Sequence, residues 1–150
     1  MPTTYSYRTT AHWTEHKCGI IEGENIPRTI NFAAPPEFGG EPGLWTPEHL
    51  LLAAVSTCYV ATLRGVADAS KAEFHALELT VEGTIEKQQE GGFRFTRILL
   101  RPVVTIEKEE ERERMGRLLE KAERGCLVSR SLACATTLEP KIVVQQHVGA

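Results

Sequence analysis

The sequence predicts an α+β protein, and the order of its elements is the main reason. Three strand-like segments come first, a long apolar helix follows, and two strands, two helices and a last strand complete the chain. Separate runs of strands and helices in this order indicate an α+β fold. A chain of 150 residues with no internal repeat or long linker is expected to be a single domain, residues 1–150.

The N-terminal part is predicted to form three short strands. Residues 5–13 alternate in the way that is typical of a half-buried strand, and residues 19–22 and 29–32 supply the next two. Residues 33–45 contain three prolines and three glycines and are expected to form a loop. Loops of this length are often functional. This one either forms a pocket wall beside the following helix or is a plain connector.

The segment Thr46–Arg64 predicts the central helix of the protein. Thr46 is a favoured N-cap residue and Pro47 is favoured at the first helical position. Glu48 places a negative charge in the first turn, where the helix dipole stabilises it. The helix is expected to continue to about Ser70.

The apolar residues of this helix are spread around all of its sides, and residues 50–63 carry no charge. A helix of this kind is either buried or in a membrane. We expect it to be buried, because the apolar stretch looks shorter than the roughly 20 residues that a bilayer requires. One small sheet cannot cover every side. The sequence therefore predicts a homodimer with central helices packed across a two-fold axis.

The next two strands are predicted to form a hairpin. Residues 77–87 alternate as a strand with one wet face, and residues 93–106 form the returning strand. The apolar phase changes within the second strand, which predicts a β-bulge near Thr96 and Arg97. Pro102 indicates either an edge position or a break.

Residues 109–124 predict a second helix with one narrow apolar stripe. The stripe consists of Met115, Leu118, Leu119 and Ala122. Opposite charges occupy i, i+4 positions on its other faces, which is typical of a solvated surface: Glu110/Arg114, Glu113/Arg117 and Glu120/Arg124. Gly125 is expected to cap this helix. Residues 126–135 are predicted to form a short helix, and residues 138–146 a last strand.

Charge and composition limit the partners. The net charge of -3 and the lack of a basic patch argue against nucleic acid or an anionic membrane. The N-terminus shows no basic region followed by an apolar run, so no signal peptide is predicted and a cytoplasmic location is expected.

The four cysteines are Cys18, Cys58, Cys126 and Cys134. They show neither C-x-x-C spacing nor a histidine at finger spacing, which argues against a zinc site, and no cofactor is predicted. A secreted disulfide framework is not expected either. Free cysteines are either small buried residues or reactive thiols. Cys18 and Cys134 are interpreted as structural or incidental.

Two segments around the other cysteines carry a family resemblance. P-E-H-L-L-L-A-A-V-S-T-C ends at Cys58, and G-C-L-V-S-R-S-L contains Cys126. Together they resemble the two signature segments of the OsmC/Ohr family, the osmotically inducible and organic hydroperoxide resistance proteins. The resemblance also extends to the strand order and the glycine-rich loop, and so covers nearly the whole chain.

This resemblance implies an OsmC-like fold, in which two chains form an intertwined homodimer with antiparallel sheets wrapped around two central buried helices. It implies thiol-dependent reduction of hydroperoxides, with an external dithiol as the reductant. By position in the motifs, Cys58 would be the peroxidatic cysteine and Cys126 the resolving cysteine. Glu48 matches the active-site glutamate of the family.

The family also carries an active-site arginine, in the first hairpin or in the loop before the helix. Here Lys17 stands at the hairpin position, and Arg28 lies just outside the loop. Arg130 follows Cys126 in the second motif. A buried apolar helix by itself raises the pKa of a thiol, so a nearby cation is expected beside Cys58. These three residues are the candidate charge partners.

The spacing of Glu48 and Cys58 predicts a site shared between subunits. The two residues are ten positions apart, or about 15 Å along a straight helix. Antiparallel helices from two chains would bring Glu48 of one chain towards Cys58 of the other. A different function on the same fold is a binding module, in which the dimer holds a hydrophobic small molecule and the cysteines act as sensors or are remnants.

Overall fold

The computed structural model describes residues 3–145, and its elements confirm the α+β class. The chain divides into two compact units, one up to Leu51 and one from Leu52 onwards. The single-domain assignment stays a prediction. In chain order the elements are β1 Thr9–Glu15, β2 Cys18–Gly23, β3 Ile26–Ala33, α1 Pro47–Ala69, β4 Ala76–Lys87, β5 Phe93–Ile106, α2 Arg112–Gly125, α3 Leu127–Arg130, β6 Thr136–Leu138 and β7 Lys141–Val144.

The first unit contains an antiparallel sheet with the strand order β1-β2-β3. β1 begins at Thr9, later than the predicted residue 5, and all seven of its residues are exposed. The prediction of a half-buried strand is therefore wrong for the single chain, in which Trp13 is 75% exposed. Alternation shows that a strand has an apolar face, but it cannot show whether the same chain covers that face.

Helix α1 begins as predicted. The His49 backbone N–H donates to Thr46 Oγ1 at 3.0 Å, so Thr46 caps the helix and Pro47 opens it. The helix ends at Ala69, one residue before the expected end. Its buried residues recur every four positions and form one face: Val55, Tyr59, Leu63 and Ala67.

The rest of α1 corrects one prediction and leaves a second one untested. The helix has 23 residues, and by length and composition it could cross a membrane, so the view that it is too short is wrong. The core helix of a water-soluble protein meets the same criterion. Only 22% of its most apolar window is buried within the chain. This chain alone does not bury the helix on every side, as the sequence led us to expect, and its burial in a dimer stays a prediction.

The second unit is built on the β4–β5 hairpin. The register passes from Thr84 opposite Arg97 to Ile85 opposite Phe95. Thr96 is thus the extra residue, which confirms the predicted bulge. β4 shows the expected alternation, with its apolar positions partly buried and its charged positions exposed.

Pro102 lies in a central strand that runs unbroken from Phe93 to Ile106, so both the predicted edge position and the predicted break are wrong. β5 pairs with β4 on one side and with β6 and then β7 on the other. β6 pairs as far as Leu100, and β7 pairs from Val103. Pro102 has no N–H to donate and lies in the gap between these two pairings. A missing donor costs little on the side of β5 where neither β6 nor β7 pairs with this residue.

The last strand is also different from the prediction. In place of one strand over 138–146, two short strands, β6 and β7, flank Glu139 and Pro140 and run parallel to β5. The second sheet is therefore mixed, whereas both sheets were expected to be antiparallel. Residue 146 of the predicted strand lies outside the described residues.

Helix α2 buries the predicted stripe of Met115, Leu118, Leu119 and Ala122. A short 3₁₀ turn, Glu109–Glu111, precedes it. The observed ion pairs join Arg112 to Glu109 at 2.8 Å and Arg114 to Glu111 at 3.3 Å. Each pair joins a residue of the 3₁₀ turn to one three positions later, a spacing that such a turn aligns, and Arg114 thus pairs with Glu111 instead of the predicted Glu110.

Gly125 is the last residue of α2, not a left-handed cap beyond it. The cap position falls on Cys126, which has an extended backbone with φ of -69°. The next helix, α3, has only four residues, not the ten predicted for 126–135. The chain thus passes from one helix into the next through a single extended residue, and that residue is a cysteine.

Candidate active site

Cys58 and Cys126 come together in the second unit. Cys58 lies in the middle of α1 and is partly exposed, whereas Cys126 joins α2 to α3 and is fully buried. The Cys126 thiol is a hydrogen-bond partner of the Cys58 sulfur. The two thiols predicted to act together are therefore neighbours.

Three further groups surround the Cys58 sulfur. The backbone amides of Leu127 and Val128 hydrogen-bond to it, because α3 begins directly after Cys126. The first amides of a helix have no partner within the helix and are free to donate to other groups. Thr62 Oγ1 lies 4.0 Å from the sulfur, from a position one turn further along α1.

These hydrogen bonds change the acidity of Cys58. Burial acts to raise the pKa of its thiol, but the bonds from Val128, Cys126, Thr62 and Leu127 act against it and leave the pKa lowered. Hydrogen bonds to the charged form favour that form. Among residues 3–145, Cys58 thus gains thiolate character from neutral donors on α1 and α3, and the expected cation beside it stays a prediction.

The surroundings of Cys126 are also ordered. Ser129 Oγ donates to the Cys126 sulfur at 3.4 Å. Tyr59, next to Cys58 on α1, is fully buried and donates its hydroxyl to the Leu119 carbonyl oxygen at 2.9 Å. Burial, and then the charges of Glu123 and Cys126, raise the pKa of Tyr59. The phenol therefore stays protonated and holds α1 to α2.

Glu48 lies in the first turn of α1, as predicted, and belongs to the first unit. Its Oε1 atom is buried, yet it has no hydrogen-bond partner among residues 3–145. A buried carboxylate oxygen without a partner is costly.

The candidate cations are placed as follows. Lys17 Nζ donates to the Phe38 carbonyl oxygen at 2.5 Å, which ties it to the loop before α1. A β-carbon on Gly39, which has φ of +85°, would lie 3.2 Å from Nζ, so a side chain there would crowd the ammonium group. Arg28 on β3 and Arg130 at the end of α3 are exposed, and neither forms an ion pair with a described residue.

The other two cysteines have different surroundings. Cys18 donates to Glu41 Oε2 at 3.8 Å, and Cys134 donates to the Ala135 carbonyl oxygen at 3.4 Å. Burial raises the pKa of Cys18, and the charges of Glu41 and Glu15 raise it further. Within residues 3–145 no group of three histidine, cysteine or acidic side chains could hold a metal ion.

The mixed-sheet α+β fold, with two thiols between a long helix and a short one, agrees with three comparisons. The profile of the OsmC-like proteins matches residues 40–141. The uncharacterized protein YmaD of Bacillus subtilis is 31% identical over 128 residues, covering 81% of this chain and 83% of its own. The chain therefore belongs to the OsmC-like protein family.

Solved structures show the same fold. An OsmC-like protein of unknown function from Vibrio cholerae has a TM-score of 0.81 at 16% identity, covering 91% of this chain and 99% of its own. An organic hydroperoxide resistance protein from Legionella pneumophila has a TM-score of 0.75 at 25% identity, covering 95% and 100%. OhrB of Bacillus subtilis has a TM-score of 0.68 at 20% identity, covering 92% and 98%.

Sequence reasoning missed the groups that contact the two sulfurs. Thr62 stands four residues after Cys58, a spacing that places side chains together on a helix, so it carried a signal that could have been used. Ser129 stands three residues after Cys126 and carried the same kind of signal. The amides of Leu127 and Val128 carried none, because every residue has a backbone N–H and only the fold directs it.

Proposed function

We propose that this chain is a thiol-dependent peroxidase that reduces organic hydroperoxides. Cys58 is the peroxidatic cysteine and Cys126 the resolving one. A single observation carries the proposal: Cys58 is partly exposed, and its sulfur is surrounded by hydrogen-bond donors, one of which is a second thiol. The names of the Legionella and Bacillus hydroperoxide resistance proteins support the substrate class.

The reaction follows from these two thiols. The Cys58 thiolate attacks the outer oxygen of the O–O bond, and the alkoxide leaves and takes a proton as an alcohol. Cys58 becomes a sulfenic acid, two electrons more oxidised. The Cys126 sulfur then attacks the Cys58 sulfur and displaces hydroxide, which takes the thiol proton and leaves as water. An external dithiol reduces the resulting disulfide by exchange.

The proposal includes a cytoplasmic homodimer. It is supported by the large uncovered surface of α1 and by the exposed apolar side chains Trp13, Ile26, Ile30 and Val60. Apolar surfaces of this kind mark protein interfaces. In such a dimer Glu48 of one chain would approach Cys58 of the other, and Lys17, Arg28 or Arg130 would neutralise the glutamate.

The test of peroxidase activity is the consumption of cumene hydroperoxide or tert-butyl hydroperoxide with a dithiol reductant. We expect turnover by the wild type and by Cys134→Ser, and none above background by Cys58→Ser. Cys134 is the matched control, because its sulfur donates to the Ala135 carbonyl oxygen and is not among the groups that contact Cys58. If no dithiol supports turnover by the wild type, the proposal fails and the binding module takes its place.

The test of the dimer is the mass in solution, measured by light scattering. We expect twice the chain mass for the wild type. Val60→Arg places a charge on the uncovered side of α1, where Val60 is 40% exposed, and should shift the protein towards the monomer. A wild-type monomer at micromolar concentration would contradict the proposal.

A further inference from the structure

The hydroxyl group of Thr62 contacts the reacting cysteine in two places. Thr62 lies one helical turn after Cys58 on α1. Its Oγ1 donates to the Cys58 carbonyl oxygen at 2.7 Å and lies 4.0 Å from the Cys58 sulfur, the long limit of a hydrogen bond to sulfur. A single oxygen therefore contacts both the backbone and the reacting atom of the same residue.

The position of this oxygen is defined by its hydrogen bond to the Cys58 carbonyl oxygen and by the rotamer of Thr62. The Thr62 methyl Cγ2 faces Gly125, 3.7 Å from the position that a β-carbon on that glycine would take. With the methyl on the side of Gly125, the hydroxyl stays on the side of Cys58. A β-branched side chain in a helix has few χ1 rotamers. The hydroxyl hydrogen, in contrast, can turn between the two acceptors while the oxygen remains still.

We propose that Thr62 is a thiolate-binding residue, whose hydroxyl hydrogen turns from the Cys58 carbonyl to the Cys58 sulfur when the thiol loses its proton. In the thiol form, the S–H group donates to Thr62 Oγ1, and the hydroxyl donates onward to the carbonyl. In the thiolate form no S–H remains, and the hydroxyl becomes a donor to the sulfur. The carbonyl keeps its helical bond from the Thr62 backbone N–H.

Thr62 matters because neutral donors alone lower the pKa of Cys58 within the described residues. Cys126 is the titratable group that contacts Cys58 from the α2–α3 junction, and no charged side chain contributes from α1, α2 or α3. The amides of Leu127 and Val128 are fixed by the backbone. When Cys126 is joined to Cys58 in a disulfide, its thiol is no longer a donor, and Thr62 is the side-chain donor that remains for the sulfur released on reduction.

The role in peroxide reduction rests on the proposed function, but the switch itself needs no peroxide. The experiment therefore measures how fast iodoacetamide alkylates Cys58, as a function of pH, without hydroperoxide. Trypsin places each cysteine in a separate peptide, and residues 29–64 contain only Cys58. Mass spectrometry can thus follow this thiol in the full chain with Cys126 present.

Thr62→Val keeps the shape of the side chain and removes the hydroxyl. We expect the alkylation rate of Cys58 at pH 7 to fall by about three- to tenfold, with the pH midpoint moved upwards, because a hydrogen bond to a charged group is lost. Thr62→Ser should remain close to the wild type. Thr57→Val is the matched control: the Thr57 hydroxyl also donates to a carbonyl of its own helix, that of Ala54, at 3.3 Å, and its loss should change nothing.

Two results would overturn the proposal: an unchanged midpoint in Thr62→Val, or an equal shift in Thr57→Val, which would indicate a general effect of removing a helix hydroxyl. The readout also separates the two proposals. A wild type without peroxidase activity but with the Thr62→Val shift would refute only the peroxidase. An active peroxidase whose Cys58 midpoint is unchanged in Thr62→Val would refute only the switch.

Discussion

Cys58 and Cys18 show how two thiols in one chain can be given opposite chemistry. Both are partly exposed, and burial acts to raise the pKa of both. Around Cys58 the contacting groups are donors: two amides, a hydroxyl and a thiol. Around Cys18 the contacting group is the carboxylate of Glu41, which accepts a hydrogen bond and repels a thiolate. The pKa is lowered at Cys58 and raised at Cys18.

The comparison teaches that position within an element and exposure do not determine reactivity here. What differs is whether the neighbours donate or accept hydrogen bonds, since only donors stabilise the thiolate. A cation is therefore only one of the groups that can stabilise a thiolate at Cys58. Replacing either a thiol or a single group that contacts it tests this difference between Cys58 and Cys18.

The largest effect is expected from Cys126→Ser. The serine hydroxyl can still donate to the Cys58 sulfur, but it cannot form a disulfide. We expect one rapid turnover, followed by a fall in steady-state rate of about a hundredfold or more, because the two thiols act as a unit. With excess hydroperoxide, Cys58 should proceed to sulfinic acid, seen by mass spectrometry as two added oxygens.

The control for this variant is Cys18→Ser, which should keep the full rate and the full yield of disulfide. The comparison between the two thiols fails if Cys18→Ser slows turnover as much as Cys126→Ser does. It also fails if Cys126→Ser recycles at the wild-type rate, since Cys126 would then not be the resolving cysteine.

The elements followed from the sequence wherever local periodicity determines them. β5 has the predicted bounds, 93–106, and the bulge at Thr96 lies where the apolar phase changes. The buried stripe of α2 is the predicted one. In each case one face of one element meets one apolar layer, so spacing along the chain carries the information.

Features that depend on segments distant in the chain could not be predicted from the sequence. Pro102 resembles an edge residue until β6 and β7 are known to leave a gap opposite it. The exposure of α1 depends on what covers it, which is not determined by its own residues. Cys58 and Cys126 could be predicted because they stand in recognisable motifs. The amides that lower the pKa of Cys58 could not, because they belong to a four-residue helix that is too short to show a periodic pattern.

The difference in reactivity between Cys58 and Cys18 can be measured directly in the wild type. At pH 7 iodoacetamide should alkylate Cys58 faster than Cys18, because the thiol with the lowered pKa has the larger thiolate fraction. The thiolate fraction rises with pH, so a lowered pKa moves the Cys58 rate midpoint to lower pH and a raised pKa moves that of Cys18 to higher pH. The tryptic peptides 29–64 and 18–28 report the two thiols in one sample. Equal midpoints would refute the contrast.

A smaller effect is expected from Ser129→Ala. This change removes the donor to the Cys126 sulfur at 3.4 Å and leaves the donors to Cys58 in place. The conversion of sulfenic acid to disulfide should slow by about two- to fivefold, since one neutral hydrogen bond is lost. Acid-quenched samples after one equivalent of hydroperoxide give this rate separately from the first step.

Ser131→Ala is the matched control for Ser129. Its hydroxyl lies just beyond α3 and donates to the Leu127 carbonyl oxygen at 2.9 Å, not to a sulfur. The rate of disulfide formation should be unchanged. Equal slowing in both variants would mean that the serines act through the stability of α3, not through Cys126.

The smallest effect is expected from Glu41→Gln, which makes the surroundings of Cys18 more like those of Cys58. The amide keeps the size of the side chain but removes the charge and adds N–H donors. The pKa of Cys18 should fall, and its alkylation rate at pH 8 should rise by about two- to threefold, a modest gain because solvent screens exposed charges. Glu15 still acts to raise the pKa, so the change is partial.

Salt provides a second measurement of the same effect. In about 1 M salt the screening length is only about 3 Å, so the wild type and Glu41→Gln should react at more similar rates than at low salt. Glu37→Gln is the control, since Glu37 lies in the same loop but is not among the groups that shift the pKa of Cys18. If Glu41→Gln left Cys18 unchanged at low salt, partial burial alone would keep this thiol unreactive. Cys18 and Cys58 would then differ because burial raises the pKa of Cys18, whereas hydrogen-bond donors lower the pKa of Cys58.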